Sequence, residues 1–303
     1  MTLRPILVVQ HEADAPPARV GDWLIAAGAE LDIRCPVAGD ELPTDFSEHS
    51  ALVVMGGAVG AYDDLVAPWL PATRALLGRA VREQTPTFAI CLGAQLLTVA
   101  TGGRVERGAD GPEIGAHLIA KRTAAATDPL FGPLPILPDV LQWHYDAITA
   151  LPPSAILLAS STLYEVQAFR VGRLAWGVQC HIETTPEQVR EWALTDPEMA
   201  DYDLTRILDR SDAVHPDIAE AWQPLIERFV EVVRAPDGVS AATGPPVSVA
   251  APIDDPAAIR AALAREMMQG SGGPTPLGMP TLAPPAQRHP ATAQRPGGET
   301  DRP

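Results

Sequence analysis

Cysteine is scarce in this chain of 303 residues: Cys35, Cys91 and Cys180 are an odd number, and no two are spaced CxxC. That pattern excludes a disulfide framework and a structural zinc site, and it points to a reducing cytoplasm. Basic residues are also in deficit, 22 against 38 acidic, for a formal charge of −16. Such a balance excludes a broad electrostatic grip on nucleic acid or on an anionic membrane and leaves small neutral or cationic ligands open. Long apolar runs are missing: Ile6-Leu7-Val8-Val9 is too short for a signal h-region, and nothing approaches the roughly 18 apolar residues of a membrane span. Aromatics contribute only 5%, yet 46% of the residues are hydrophobic, enough for a sizeable core.

The composition shifts near residue 236. From Pro236 to Pro303 there are 13 prolines and 8 glycines in 68 residues, against 8 residues of Ile, Leu, Val and Phe together. Burial by so few apolar side chains does not offset chain entropy, so residues 236–303 read as a disordered tail behind a folded unit at 1–235. Inside the tail, residues 254–269 have an acidic start, a proline in the first turn and an Ala/Leu/Arg/Met run, the pattern of a short helix.

The folded part opens with alternating signals. Apolar runs at Pro5–Gln10, Ala51–Met55 and Thr87–Cys91, with a second strand at Glu30–Arg34, alternate with helical stretches at Pro17–Ala27 and Pro71–Glu83. Short continuous apolar runs with helices between them imply parallel strands buried on both faces, an α/β architecture. Between Val105 and Gln179 the runs Ala116–Ala120, Ala155–Ser160, Val166–Arg170 and Ala175–Cys180 read as strands among Pro- and Gly-rich turns. Two or three helices follow Thr185, a good N-cap, and the last is expected at Pro216–Val233.

The most informative string runs from Thr87 to Leu97, a buried strand leading straight into a helix with Cys91 at the corner and small residues, Ala89 and Gly93, two positions to either side. A nucleophile elbow asks for that arrangement: a sharp turn lifts the reactive atom above the sheet, and small neighbours relieve crowding. The positive end of the following helix favours an anion at that corner. Alone, the same pattern also suits a core cysteine. A second string, Trp176 to Glu183, weighs against that: in extended chain residues i and i+2 face the same side, so Glu183 can orient the His181 imidazole toward a thiol. Adjacent Cys180 and His181 point to opposite faces, which disfavours joint metal ligation.

With Met55-Gly56-Gly57-Ala58-Val59-Gly60, Cys91-Leu92-Gly93-Ala94-Gln95, Trp143-His144-Tyr145-Asp146 and His181-x-Glu183 in order, residues 5–185 resemble the class I, triad-type glutamine amidotransferases, especially stand-alone domains similar to the glutaminase portion of GMP synthase. The resemblance implies an open, mostly parallel, flavodoxin-like sheet with helices on both faces and an added antiparallel portion. It implies Cys91 as nucleophile, His181 as general acid/base, Glu183 as its partner, and the amides of Gly57 and Leu92 as oxyanion hole. Gln95, His144, Tyr145 and Asp146 are implied as contacts to glutamine, and neither metal nor organic cofactor is called for. Two departures stand out: Ile182 replaces the proline of the usual His-Pro-Glu, and Tyr145 stands where glycine is common.

The activity implied is hydrolysis of the glutamine side-chain amide through a γ-glutamyl thioester, with ammonia passed to a synthase in trans or released. A γ-glutamyl peptidase using the same residues is the alternative. A non-catalytic binding module is a third reading, disfavoured because Cys91, His181 and Glu183 are all present.

Overall fold

The computed structural model describes residues 3–237. The expected tail and its helix at 254–269 therefore lie outside the described residues, apart from Pro236 and Asp237. Twelve strands and five α-helices are present among the described residues. An eight-stranded sheet has the order β2-β1-β3-β4-β12-β11-β10-β7, with β1 at Ile6–Val9, β2 at Leu31–Arg34, β3 at Ala51–Val54, β4 at Thr87–Ile90, β7 at Ala120–Lys121, β10 at Ala155–Ser160, β11 at Ala168–Val171 and β12 at Ala175–Val178. The first five strands in that order pair in parallel, and the remaining three antiparallel. The fold is the mixed, mostly parallel α/β sheet that the apolar runs implied.

Alternation along β1 shows why β1, β3, β4 and β12 are buried throughout. Ile6 and Val8 pack into a core with Val20 and Leu24 of α1 (Ala18–Ala26) and with Trp222, Ile226 and Phe229 of α5 (Leu204–Arg234). Leu7 and Val9 face the other way, into a second core with Leu70 and Leu77 of α2 (Leu70–Glu83) and with Leu96 and Leu97 of α3 (Leu92–Ala100). Both faces of β1, β3, β4 and β12 are covered, so neither tolerates the polar half of a period-2 pattern, whereas the edge strand β2, with Asp32 and Arg34, is only partly buried.

Three strands escape the sequence pattern. Arg104–Arg107 forms β5, and Asp146–Ala150 forms β9, its partner in a small two-stranded sheet; Asp139–His144 forms β8, which pairs with β6, Glu113–Leu118. The expected last helix also differs. Pro216 does not start it but lies within the 31-residue α5. A proline inside a helix costs about 3 kcal/mol. Here the turn around it is tied down by tertiary partners: the His215 carbonyl accepts from Arg19 Nη1 at 2.8 Å, and His215 Nδ1 donates to the Ser211 carbonyl at 2.6 Å. No helix among the described residues is long and apolar enough to cross a membrane.

Sheets of this order bind ligands beyond the carboxyl ends of their strands. The ends of β1, β3, β4 and β12 lie side by side there, and the helix after β4 comes unusually close to the sheet. A Cβ on Gly93 would lie 2.3 Å from the Val54 carbonyl oxygen and 2.9 Å from its carbon. Both atoms are backbone in a central strand, so neither can yield. In Gly93→Ala the intrinsic helix gain of about 1 kcal/mol is overridden by overpacking. The expected net loss is about 2 kcal/mol or more, read as a fall in Tm and in the denaturant midpoint; a variant as stable as the wild type would show that α3 can move off β3.

Candidate active site

Cys91 joins β4 to α3 with φ +50° and ψ −110°, one of three non-glycine residues at positive φ among those described. Its N–H donates to the Val178 carbonyl of β12 at 2.8 Å, and its carbonyl accepts the first helical bond of α3 from Gln95 N at 3.0 Å. The corner is thus pinned from both sides, which is what holds a residue in a sparsely populated conformation. Its side chain is 5% exposed.

His181 and Glu183 follow β12 in extended chain, and a bridge between His181 and Leu141 of β8 fixes the first of them. His181 Nδ1 lies 2.6 Å from Glu183 Oε1, and the imidazole and the Cys91 side chain lie side by side against Gly56. Burial disfavours the imidazolium, but the charges and hydrogen bonds of Glu183 and Cys91 outweigh it and hold the imidazole well above its usual range. The second Glu183 oxygen accepts the Ile182 N–H at 2.9 Å. That donor is the one a proline would lack. Thr185, with Gln188, closes a capping box on α4 (Pro186–Thr195), directly after Glu183. From α4, Trp192 sets its ring edge against the imidazole, with centroids 4.9 Å apart.

The loop after β3 lies over this pair. A Cβ on Gly56 would come within 3.1 Å of the His181 ring and 3.4 Å of Cys91 Cβ, and one on Gly57 within 3.0 Å of Leu92 Cδ2 and of His11 Cβ. Gly57 and Leu92 are therefore neighbours. Helix geometry leaves the Leu92 N–H without an intrahelical acceptor. Ala58 N–H donates to Glu12 Oε1 at 2.7 Å, and burial pushes that carboxyl above its ordinary range.

The other expected site residues are deployed differently from one another. Gln95 is buried, and its Nε2 donates to the Asp146 carbonyl at 3.3 Å and to Gln179 Oε1 at 3.2 Å. His144 is buried as well, donating from Nδ1 to the same Asp146 carbonyl at 2.9 Å, with Nε2 3.1 Å from Glu113 Oε2. Tyr145 donates its hydroxyl to Asp196 Oδ2 at 2.7 Å, beside the Trp143 indole at 2.9 Å, and carries Arg107 over its ring. The Asp146 carboxylate faces the loop at Gly60. Cys180 is fully buried, and burial pushes its thiol well up. Sequence reasoning passed over Gln179, whose Nε2 lies 3.7 Å from Cys91 Sγ. It sits two residues before His181, so the same alternation that paired His181 with Glu183 would have found it.

A cavity of about 380 Å³ lined by Leu130, Leu134, Pro224 and Leu225 contains none of these residues.

Comparison with known proteins identifies the family of the chain. The family model for glutamine amidotransferase class-I matches residues 20–196, more than half of the chain, and the chain belongs to that family. It is 30% identical over 184 residues to the glutamine amidotransferase-like protein YfeJ of Salmonella typhimurium, covering 60% of this chain and 76% of that one. Gamma-glutamyl peptidase 3 of Arabidopsis thaliana is 26% identical over 199 residues, 62% of this chain and 76% of the relative. GMP synthase of Porphyromonas gingivalis is 33% identical over 157 residues, which are 51% of this chain but only 29% of that one. A solved structure of a glutamine amidotransferase from Methylobacillus flagellatus superposes with a TM-score of 0.69 at 29% identity, over 76% of this chain and 95% of that one.

His11 at the end of β1 yields a pH prediction. Trp69 Nε1 donates to its Nδ1 at 3.1 Å, and its Nε2 is buried with no hydrogen-bond partner. Burial lowers its pKa from 6.5 to about 4, and burial lowers those of His117 and His215 as well. Above pH 6.5 neither the folded nor the unfolded state protonates His11. As pH falls from 6.5 to about 4 the unfolded state takes the proton first, so stability is lost over that window, by about 3 kcal/mol from His11 alone. His181, shifted the other way, acts at higher pH. Thermal unfolding followed between pH 7 and pH 4.5 is expected to show Tm falling by about 6 °C or more; a flat Tm would contradict a buried neutral His11.

Proposed function

We propose that the protein hydrolyses the side-chain amide of glutamine, or of a γ-glutamyl compound, with Cys91 as nucleophile, His181 as general acid/base and Glu183 as its orienting partner. The observation carrying this reading is an elbow cysteine set beside an imidazole whose Nδ1 is 2.6 Å from a buried carboxylate. A thiolate with an imidazolium beside it is competent for attack without any further base.

In the first half-reaction the sulfur adds to the amide carbon, and the resulting oxyanion takes N–H bonds from Gly57 and Leu92, worth roughly 2.7–4 kcal/mol per donor in comparable sites. The imidazolium gives its proton to the departing nitrogen as the C–N bond breaks, releasing ammonia and leaving a γ-glutamyl thioester. Neutral His181 next takes a proton from water, hydroxide adds to the thioester, and the thiolate leaves with glutamate as product. Glu183 keeps the Nδ1 proton in place throughout, so Nε2 is the nitrogen that exchanges protons with substrate.

Two substrate classes fit. The glutaminase reading draws on the family and on the GMP synthase relative, and under it a separate synthase would receive the ammonia of this chain in trans. The γ-glutamyl peptidase reading draws on a relative matched over 76% of its length, against 29% for the synthase. Tyr145, with its hydroxyl held by Asp196, presents a ring in the segment implied to hold the γ-glutamyl group, and this ring bears on which leaving group is accepted.

Turnover of glutamine and of γ-glutamyl dipeptides, with ammonia and glutamate both quantified, separates the two. Cys91→Ala is expected to lose a thousandfold or more on whichever substrate is cleaved, and Glu183→Gln to lose on the order of a thousandfold by presenting the wrong tautomer. Activity surviving in Cys91→Ala would remove this mechanism.

A further inference from the structure

We infer that Gln179 is a further catalytic residue, whose side-chain amide donates an N–H to the Cys91 sulfur and stabilises it as the attacking and leaving thiolate. This rests on the reading of Cys91 as nucleophile.

The orientation of the Gln179 amide follows from its neighbours. The hydrogen-bond chain starts at the Asp146 backbone carbonyl, which can only accept. The Gln95 atom 3.3 Å from it must therefore be Nε2. The second proton of that nitrogen points at the Gln179 side chain 3.2 Å away, so the Gln179 atom there must be the oxygen. Its nitrogen then faces Cys91 Sγ at 3.7 Å, an ordinary separation for a sulfur acceptor. A flipped Gln179 would set two N–H groups against each other in a site where both glutamines are buried and water cannot relieve the conflict.

The root of the chain is itself fixed. His144 Nδ1 donates to the Asp146 carbonyl at 2.9 Å, and its Nε2 faces Glu113 Oε2, which also accepts from Gln167 Nε2 at 2.6 Å. His144 and Gln95 accordingly act as positioning residues for Gln179. The backbone adds a constraint: Gln179 N–H donates to the Gln167 carbonyl at 2.8 Å, which holds the strand end level with the elbow.

A donor at that place acts twice in the thioester cycle. It stabilises the thiolate before attack, and it stabilises the same anion again when the second tetrahedral intermediate expels it. The sulfur of the thioester is a poorer acceptor, so the bond favours the two states in which negative charge sits on sulfur.

The test is the pH profile of iodoacetamide alkylation at Cys91 in the full chain, read by peptide mass mapping, with kcat and KM for the cleaved substrate. Gln179→Leu removes the donor. Gln179→Glu keeps the shape, replaces the donor with an acceptor, and serves if leucine does not fit. Both are expected to move the alkylation profile upward by about one pH unit, glutamate further than leucine, with the plateau rate at high pH unchanged. Turnover should fall about tenfold or more at neutral pH while KM stays within about twofold. A profile unmoved in both variants, or a rate lowered equally at every pH, would overturn the inference. Activity retained in Cys91→Ala would defeat the proposed function instead, and that result is read independently of the Gln179 profile.

Discussion

The close seating of α3 on the end of β3 is the constraint on which the rest of this molecule depends. Gly93 N–H donates to the Met55 carbonyl at 3.1 Å, and the space where its side chain would be is filled by the backbone of Val54. That contact leaves the chain no room for a relaxed turn between β4 and α3. Cys91 absorbs the geometry with a positive φ, and its amide and carbonyl are locked to β12 and α3. Strain of this kind costs on the order of 1–3 kcal/mol and persists only where the surroundings over-determine it. Two strands buried on both faces and a helix with seven buried positions supply that over-determination.

Around the strained corner the polar groups form one buried system. Cys91, Gln179, Gln95, the Asp146 carbonyl, His144, Glu113 and Gln167 are linked in sequence, and the side chains come from α3, β8, β6 and the segments flanking β11 and β12. A buried network is stabilising only when nearly complete, because each unpaired member costs more than a bond returns. One exception stands among its members: Glu113 Oε1 has no partner. The second small sheet, β6 with β8, is what brings Glu113 and His144 opposite each other, since the two are register partners. That antiparallel addition to the α/β core thereby serves the site as well as the fold.

Legibility in the sequence followed burial. β1, β3 and β4 were readable because each is buried on both faces, and β12 for the same reason, whereas β2 and β10 are only partly buried. Arg104–Arg107 was not readable: three of its four residues are exposed and charged, so the pattern is that of a loop. Asp139–His144 and Asp146–Ala150 mix polar and apolar residues because their polar side chains are satisfied by partners distant in the chain. Pro216 misled for a different reason, as Arg19 and Ser211, which hold that turn together, are 197 and 5 residues away and carry no local signal. That Cys91, His181 and Glu183 lie close together was legible because elbow and alternation are local rules. Gln95 was found as a residue but not for its bonds, since the groups it meets come from residues 146 and 179.

Ile182 shows how a departure from a family pattern is absorbed. Proline after the histidine would fix φ and present no N–H, leaving Glu183 to be held by the imidazole and its surroundings. Isoleucine gives up the fixed φ. It recovers order in two ways: its side chain is fully buried in the core, and its N–H closes onto Glu183 Oε2. The carboxylate consequently takes one charge-assisted bond on each oxygen, from Nδ1 of His181 and from the backbone, and cannot rotate without breaking both. The replacement thus moves part of the task of orienting the imidazole from ring geometry to hydrogen bonding, with the direction of its effect unchanged.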